Sequence, residues 1–283
     1  MPVWSDPSTR TLRLTLLQFA PRLRDEQANA SRIAALQKGA AADLVLTPEL
    51  SLTGYDLRDG AANLARSTFP TFEFSGSTIA GGVESASGLI YNVAVMANAD
   101  RSTVIHRKVY LPTYGMFDEG RYFGRGDRVV PVEIEGWRFG VLICEDFWHP
   151  ALAYLLAMQG IHALLVLAAA PGRGALTGGE SDAFFASSDS WERIARTTAQ
   201  LYGIYVAVCN RCGVEGGVTF AGESFVVAPD TRVIARAGVE EARLDVVLEL
   251  DEVQRARQPY AHLRDDDARL VAAELQRISG HVG

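Results

Sequence analysis

The chain has 283 residues, 48% apolar and 22% charged, enough to bury a sizeable core in one large domain or two ordinary ones. Its 27 basic and 34 acidic residues leave a formal net charge of −7, which argues against nucleic acid as a partner, since that needs clustered excess basic charge. No run approaches the roughly 18 apolar residues of a membrane span, and MPVWSDPSTRTLRLTLLQF at the N-terminus lacks the uninterrupted apolar stretch of a secretory leader, so no membrane association and a reduced, cytoplasmic setting are expected.

In chain order, LRLTLLQF from Leu12 to Phe19 alternates in part and predicts a strand. Asp25 to Leu36 places Ala28, Ile33 and Leu36 among polar residues, the pattern of an amphipathic helix. ADLVLTPEL, Ala42 to Leu50, is a mostly apolar strand that runs out into Pro48 and Glu49. STIAGGVE, Ser77 to Glu84, is a glycine-rich strand, and Ile90–Asn98 and Ser102–Val109 are two more joined by a short turn. RFGVLICED repeats the form of a buried strand followed at once by polar residues. Pro150 to Met158 predicts a helix with proline in its first turn, and Ile161 to Pro171 a strand. A loop rich in glycine and serine is expected to about Ser190, then a helix over Trp191–Tyr202 and the strand IYVAVCNR. GESFVVAPDTRVIARAG predicts a hairpin, EARLDVVLELDE a last strand, and Arg269–Ile278 a terminal helix. Strands alternate with helices, but paired strands with short turns interrupt the alternation, so the expectation is a mixed α/β domain without an internal linker, taking in residues 1–283 as one unit.

Four residues carry possible chemistry. Glu49 and Cys144 stand just past apolar strands, where α/β proteins bind ligands, Lys108 ends a strand, and Glu119 lies in the aromatic, glycine-containing GMFDEGRYF. Taken singly each has a bland reading: a solvated acid, a snorkelling lysine, a cysteine used as a small hydrophobe. Together, carboxylate, amine and thiol offer base, electrostatic clamp and nucleophile, and that set needs no metal or organic cofactor. The other two cysteines form CNRC, Cys209 and Cys212, with no second pair or histidines at metal-ligand spacing, so a structural role is expected.

The segments LVLTPELSLTGY, HRKVYLPTYGMFDEGRYF, GVLICEDFWHP and VAVCNRCGVEGGVTFAGESFVVAPD resemble, in that order, the carbon–nitrogen hydrolase or nitrilase-like superfamily, from about residue 12 to residue 275. YGMFDEGRYF and CEDFW are most similar to the glutaminase domain of glutamine-dependent NAD synthetases, although the chain is expected to be too short to add an ATP-using synthetase domain. The resemblance implies a four-layer α-β-β-α sandwich, with Glu49 as general base, Lys108 as the family's lysine, Cys144 as nucleophile and Glu119 as its second glutamate. It also implies a homodimer or larger even assembly in which residues 257–283 act as an extension toward the neighbour.

The chemistry then expected is an amidohydrolase that releases ammonia from a small carboxamide through a cysteine thioester, with Lys108 and the backbone N–H of Glu145 on the oxyanion. A nitrile substrate, a glutaminase subunit feeding a separate synthetase, transfer of the acyl group to an amine, and a retired scaffold are the alternatives; the intact set of Glu49, Lys108 and Cys144 speaks against the last. Tyr55, Tyr114 and Trp148 are candidate pocket residues, Asn92 a brace, and Asp146 a residue that holds a loop. His149, next to a proline, is a poor base for Cys144. After ALLVL, many family members have Asn-x-Ser-Ala; AAAPGRGALTGGESDAFF here departs from that and loosens any inference about substrate.

Overall fold

The computed structural model describes residues 10–72, 76–174, 176–177, 184–259 and 262–280. Its strands are β1 (Thr11–Gln18), β2 (Leu44–Leu46), β3 (Ser77–Ala86), β4 (Leu89–Ala97), β5 (Ser102–Arg107), β6 (Val132–Ile134), β7 (Trp137–Ile143), β8 (Ala163–Ala168), β9 (Leu176–Thr177), β10 (Phe184–Phe185), β11 (Tyr205–Asn210), β12 (Cys212–Glu215), β13 (Val218–Ala221), β14 (Phe225–Val227), β15 (Val233–Arg236) and β16 (Ala242–Glu249). The α-helices are α1 (Glu26–Gln37), α2 (Ala61–Leu64), α3 (Glu119–Tyr122), α4 (Pro150–Met158), α5 (Ala186–Tyr202), α6 (Leu250–Arg257), α7 (His262–Asp265) and α8 (Ala268–Ser279).

Two six-stranded sheets form the centre, ordered β16-β1-β2-β3-β4-β5 and β15-β14-β11-β8-β7-β6. Each has a parallel middle, β1-β2-β3 in one and β7-β8-β11 in the other, with antiparallel strands outside it. The side-chain period of two in a strand divides the faces. Leu12, Leu14 and Leu16 of β1 join Phe139, Val141 and Ile143 of β7 in one core, while Leu17 and Phe19 lie in a second with Ile33 of α1. On the far side, α4 and α5 bury Leu152, Leu156, Trp191, Ala195 and Ala199 toward the second sheet. The result is the four-layer α-β-β-α sandwich that the resemblance implies.

Some local expectations change. The loop expected to reach Ser190 already turns helical at Ala186, because serine and aspartate suit a helix's first turn and Ser188 there donates to the Glu223 carboxylate. Glu119 opens a short helix rather than lying in a loop, and the β12–β13 ribbon follows β11, which ends at Asn210. The terminal helix is present over Ala268–Ser279, started by Asp267, whose carboxylate accepts from Arg269 and Leu270 N–H at 3.0 Å. Its apolar stripe is not covered: Leu270, Val271, Leu275 and Ile278 are 60%, 39%, 61% and 54% exposed. Among the described residues no helix is long and apolar enough to cross a membrane.

Candidate active site

The chain leaves β2 through Thr47 and Pro48, puts Glu49 at the end of the sandwich, and turns at Leu50 with φ 49°. This turn lies directly on β3. A Cβ on Gly81 would stand 2.2 Å from Leu50 N and 2.7 Å from Pro48 O, so the glycine of STIAGGVE is what lets the Glu49 loop approach. Glu49 N–H reaches Ala168 O at 3.4 Å on the second sheet. From β4, Asn92 Nδ2 donates to Glu49 Oε1 at 2.8 Å, the bracing role expected for it.

Lys108 is the first residue past β5. Its N–H donates to Asn92 O at 2.9 Å and its carbonyl accepts from Gly126 N–H at 2.7 Å. Arg107 turns outward to Glu84, at 2.6 Å, and the alternation sends Lys108 inward. There Nζ donates to Glu49 Oε1 at 2.6 Å and Glu119 Oε1 at 2.8 Å, and Tyr55 OH donates to the same Glu119 oxygen. Glu49, Lys108 and Glu119 are buried, and Tyr55 is half-buried beside them. Burial works against the Lys108 charge, but the Glu119 and Glu49 carboxylates outweigh it and hold the ammonium well above its ordinary pKa. Burial pushes the Glu119 carboxyl up to about 7, with Lys108 opposing and Glu49 adding to the rise. Burial, then the Glu119 charge, pushes Tyr55 far up, so it stays a donor. Glu49 Oε2 is buried with no hydrogen-bond partner among the described residues. An acceptor left in that condition is unfavourable for folding, and such positions are where chemistry is to be sought.

Cys144 follows β7, opens a 3-10 turn over Cys144–Trp148 and takes φ 46°, a left-handed conformation that only a few per cent of non-glycine residues adopt. It is 8% exposed. Burial raises its thiol well above the ordinary range and Glu49 adds to that, while Lys108 and a hydrogen bond from the Ala169 backbone favour the thiolate. Such a thiol is protonated at rest and needs a base at the moment of reaction. The N–H of Glu145 belongs to the first turn after Cys144, whose donors have no partner within the turn.

A small cavity of about 150 Å³ opens on Cys144, walled by Tyr114, Trp148, Phe117, Trp191, Glu145 and Arg173. Tyr114 donates to Glu145 Oε2 at 2.6 Å, and burial followed by that bond pushes its phenol up to about 12. Two of the three predicted pocket residues, Tyr114 and Trp148, therefore line the thiol's cavity. Tyr55 does not: it lines a neighbouring cavity of about 390 Å³ with Glu119, Phe117 and Glu215, because its hydroxyl is committed to Glu119 and its N–H to Glu215 Oε1 at 2.8 Å. His149 stacks on Tyr110 with ring centres 3.4 Å apart. Sequence reasoning missed Arg173, Phe117 and Trp191 as walls and Gly81 as a spacer; for Gly81 the adjacent glycines within a strand were the available signal. At the Ala168–Ala170 departure, backbone supplies polar contacts: Ala169 N–H to the thiol and Ala170 N–H to Asn210 Oδ1 at 2.8 Å.

A family model for carbon-nitrogen hydrolase matches residues 13–258. The chain is 31% identical to a glutamine-dependent NAD(+) synthetase of Thermotoga maritima over 96% of its own length, but it spans only 49% of that relative. It is 28% identical to an (R)-stereoselective amidase of a Pseudomonas species, covering 95% of this chain and 96% of the amidase. A carbon-nitrogen hydrolase from Helicobacter pylori G27 superposes with a TM-score of 0.79 at 25% identity, over 94% of this chain and 99% of the other.

Proposed function

The chain belongs to the carbon–nitrogen hydrolase family, and from that membership we propose that it releases ammonia from a small carboxamide through a thioester on Cys144. The observation that supports this most is the buried Glu49 carboxylate, one oxygen occupied by Lys108 and Asn92 and the other free, in the same charge cluster as the Cys144 thiol. In this reading Glu49 Oε2 takes the thiol proton as Sγ attacks the amide carbon. Lys108 Nζ and the Glu145 N–H hold the oxyanion. The proton then passes from Glu49 to the nitrogen, the C–N bond breaks, and ammonia leaves. Water, deprotonated by the same carboxylate, attacks the thioester carbon, the C–S bond breaks, and the thiol recovers its proton. Glu119 does not meet the substrate; it keeps Lys108 charged and in place.

The cavity is small compared with the roughly 300 Å³ or more of most ligand sites, which favours a short acyl chain. Glu145 and Arg173 put opposite charges on its wall, which favours an amide that carries its own amino and carboxylate groups over a plain aliphatic amide. The same feature gives the second reading, a glutaminase unit supplying ammonia to a separate synthetase. Ammonia release is to be measured with glutamine, asparagine, short aliphatic amides and the matching nitriles. Turnover of at least one amide is expected, fastest for an amino-acid carboxamide. Failure on every amide, with turnover of nitriles only, would sink the reading. We further infer that a second copy of the chain covers the exposed stripe of α8, since an isolated helix of that length is marginal in water.

A further inference from the structure

Asp146, two residues past Cys144, is fully buried, and its carboxylate meets four donors. Oδ1 accepts from Val109 N–H at 2.9 Å and Tyr110 N–H at 2.8 Å, and Oδ2 accepts from Ile143 N–H at 3.2 Å and faces His106 Nε2 at 2.8 Å. Buried charge persists only when so satisfied. The donors come from two places. Ile143 immediately precedes Cys144, and His106, Val109 and Tyr110 flank Lys108. One carboxylate therefore spans the seam between the thiol's turn and the ammonium's segment. It also closes the turn in which Cys144 is held left-handed. A loop-holding role would need only the Ile143 bond; the three bonds across the seam serve the spacing between the two segments.

We propose that Asp146 and His106 are a positioning pair that fixes Cys144 Sγ relative to Lys108 Nζ and so governs acylation without touching the substrate. This rests on the roles given to Cys144 and Lys108 above. Because a carboxylate can only accept, His106 Nε2 is assigned the donor role in this hydrogen bond. Attack and charge stabilisation meet at one carbonyl group, so a displacement of about 1 Å between the two segments is enough to lower the rate about 100-fold. Tyr114, Phe117, Arg173 and Trp191, cavity walls outside the Cys144–Trp148 turn, still hold the ground-state amide, so the loss falls mainly on kcat.

The test compares Asp146→Asn, His106→Leu, His106→Gln and the double variant Asp146→Asn/His106→Leu in the full chain, with folding checked by circular dichroism. Asp146→Asn and His106→Leu should each lower kcat about 100-fold with KM within about twofold of the parent. His106→Gln, whose Nε2 can still donate, should stay within about threefold, and the double variant should be no worse than the singles. If Asp146→Asn fails to fold, the two His106 variants decide. The proposal is overturned if folded His106→Leu keeps kcat within about threefold, if the loss lies in KM, if His106→Gln is as impaired as His106→Leu, or if the single effects multiply. A readout free of substrate separates this from the functional reading: iodoacetamide should alkylate Cys144 several-fold more slowly in His106→Leu than in the parent or His106→Gln. Wild-type protein inert toward every amide would defeat the functional reading and leave that alkylation comparison to judge the pair. Equal alkylation rates in all three would defeat the pair.

Discussion

Lys108→Met keeps the length of the side chain and removes only its charge, so it isolates the cation between two buried carboxylates. In the parent, Nζ lies 2.6 Å from Glu49 and 2.8 Å from Glu119, with no solvent to replace it. Taking one partner from a buried ion pair costs about 3–5 kcal/mol, unless a remaining charge is neutralised. Glu119 is the group to accept a proton: burial, then Glu49, already lifts it to about 7 against the pull of Lys108, and loss of Lys108 lifts it further. A carboxyl group whose folded pKa lies above its unfolded value stabilises the fold fully at low pH and loses that contribution as pH rises toward the folded value. In the parent this loss is complete near pH 7; in the variant it continues. The stability deficit of Lys108→Met should therefore widen above about pH 7, by at most about 1.4 kcal/mol per unit, until the pH reaches the variant's own raised Glu119 pKa. Loss of the oxyanion donor should separately remove about 3 kcal/mol from acylation, or more than 100-fold in rate. Thermal melts across pH and single-turnover acylation measure the two effects. Near-normal acylation would show that Lys108 is not the oxyanion clamp, and a deficit that does not widen with pH would show that Glu119 is not the group that takes up the proton.

Gly81→Ala puts a methyl group 2.2 Å from Leu50 N; it should displace the Glu49 loop, lower stability by about 1–3 kcal/mol in denaturant melts and impair turnover. Tyr55→Phe removes a buried donor from Glu119 and should cost about 1–3 kcal/mol in stability, with acylation reduced far less than in Lys108→Met because Lys108 still holds Glu49. A chain ending before Arg257 should change from dimer to monomer by light scattering, since the apolar stripe of α8 is removed; a full-length chain that is monomeric at micromolar concentration defeats that assignment.

The sheets were legible because strand periodicity survives in the sequence: Leu12, Leu14 and Leu16 against Leu17 and Phe19 is the layering of the sandwich written in eight residues. Glu49, Lys108, Glu119 and Cys144 were legible as polar residues following apolar runs or in an aromatic loop, and the structure brings the first three into one hydrogen-bonded cluster beside the thiol. What was not legible depends on partners distant in sequence. The fit of Gly81 under Leu50, the bond from Tyr55 to Glu119 and the reach of Asp146 to Val109 join segments 30 or more residues apart, and no local pattern encodes them. CNRC shows the same limit: Cys209 turns out to send its thiol to the carbonyls of Leu17 and Leu46, in the other sheet.

In the proposed reaction Cys144 carries the acyl group. Intact-mass analysis of protein quenched within a turnover, followed by peptide mapping, detects that intermediate. The wild-type chain plus one acyl group is expected, with the adduct on the peptide containing Cys144, and neither adduct nor ammonia from Cys144→Ala. Turnover by Cys144→Ala at a comparable rate, or an adduct on Cys209 or Cys212 instead, would contradict it.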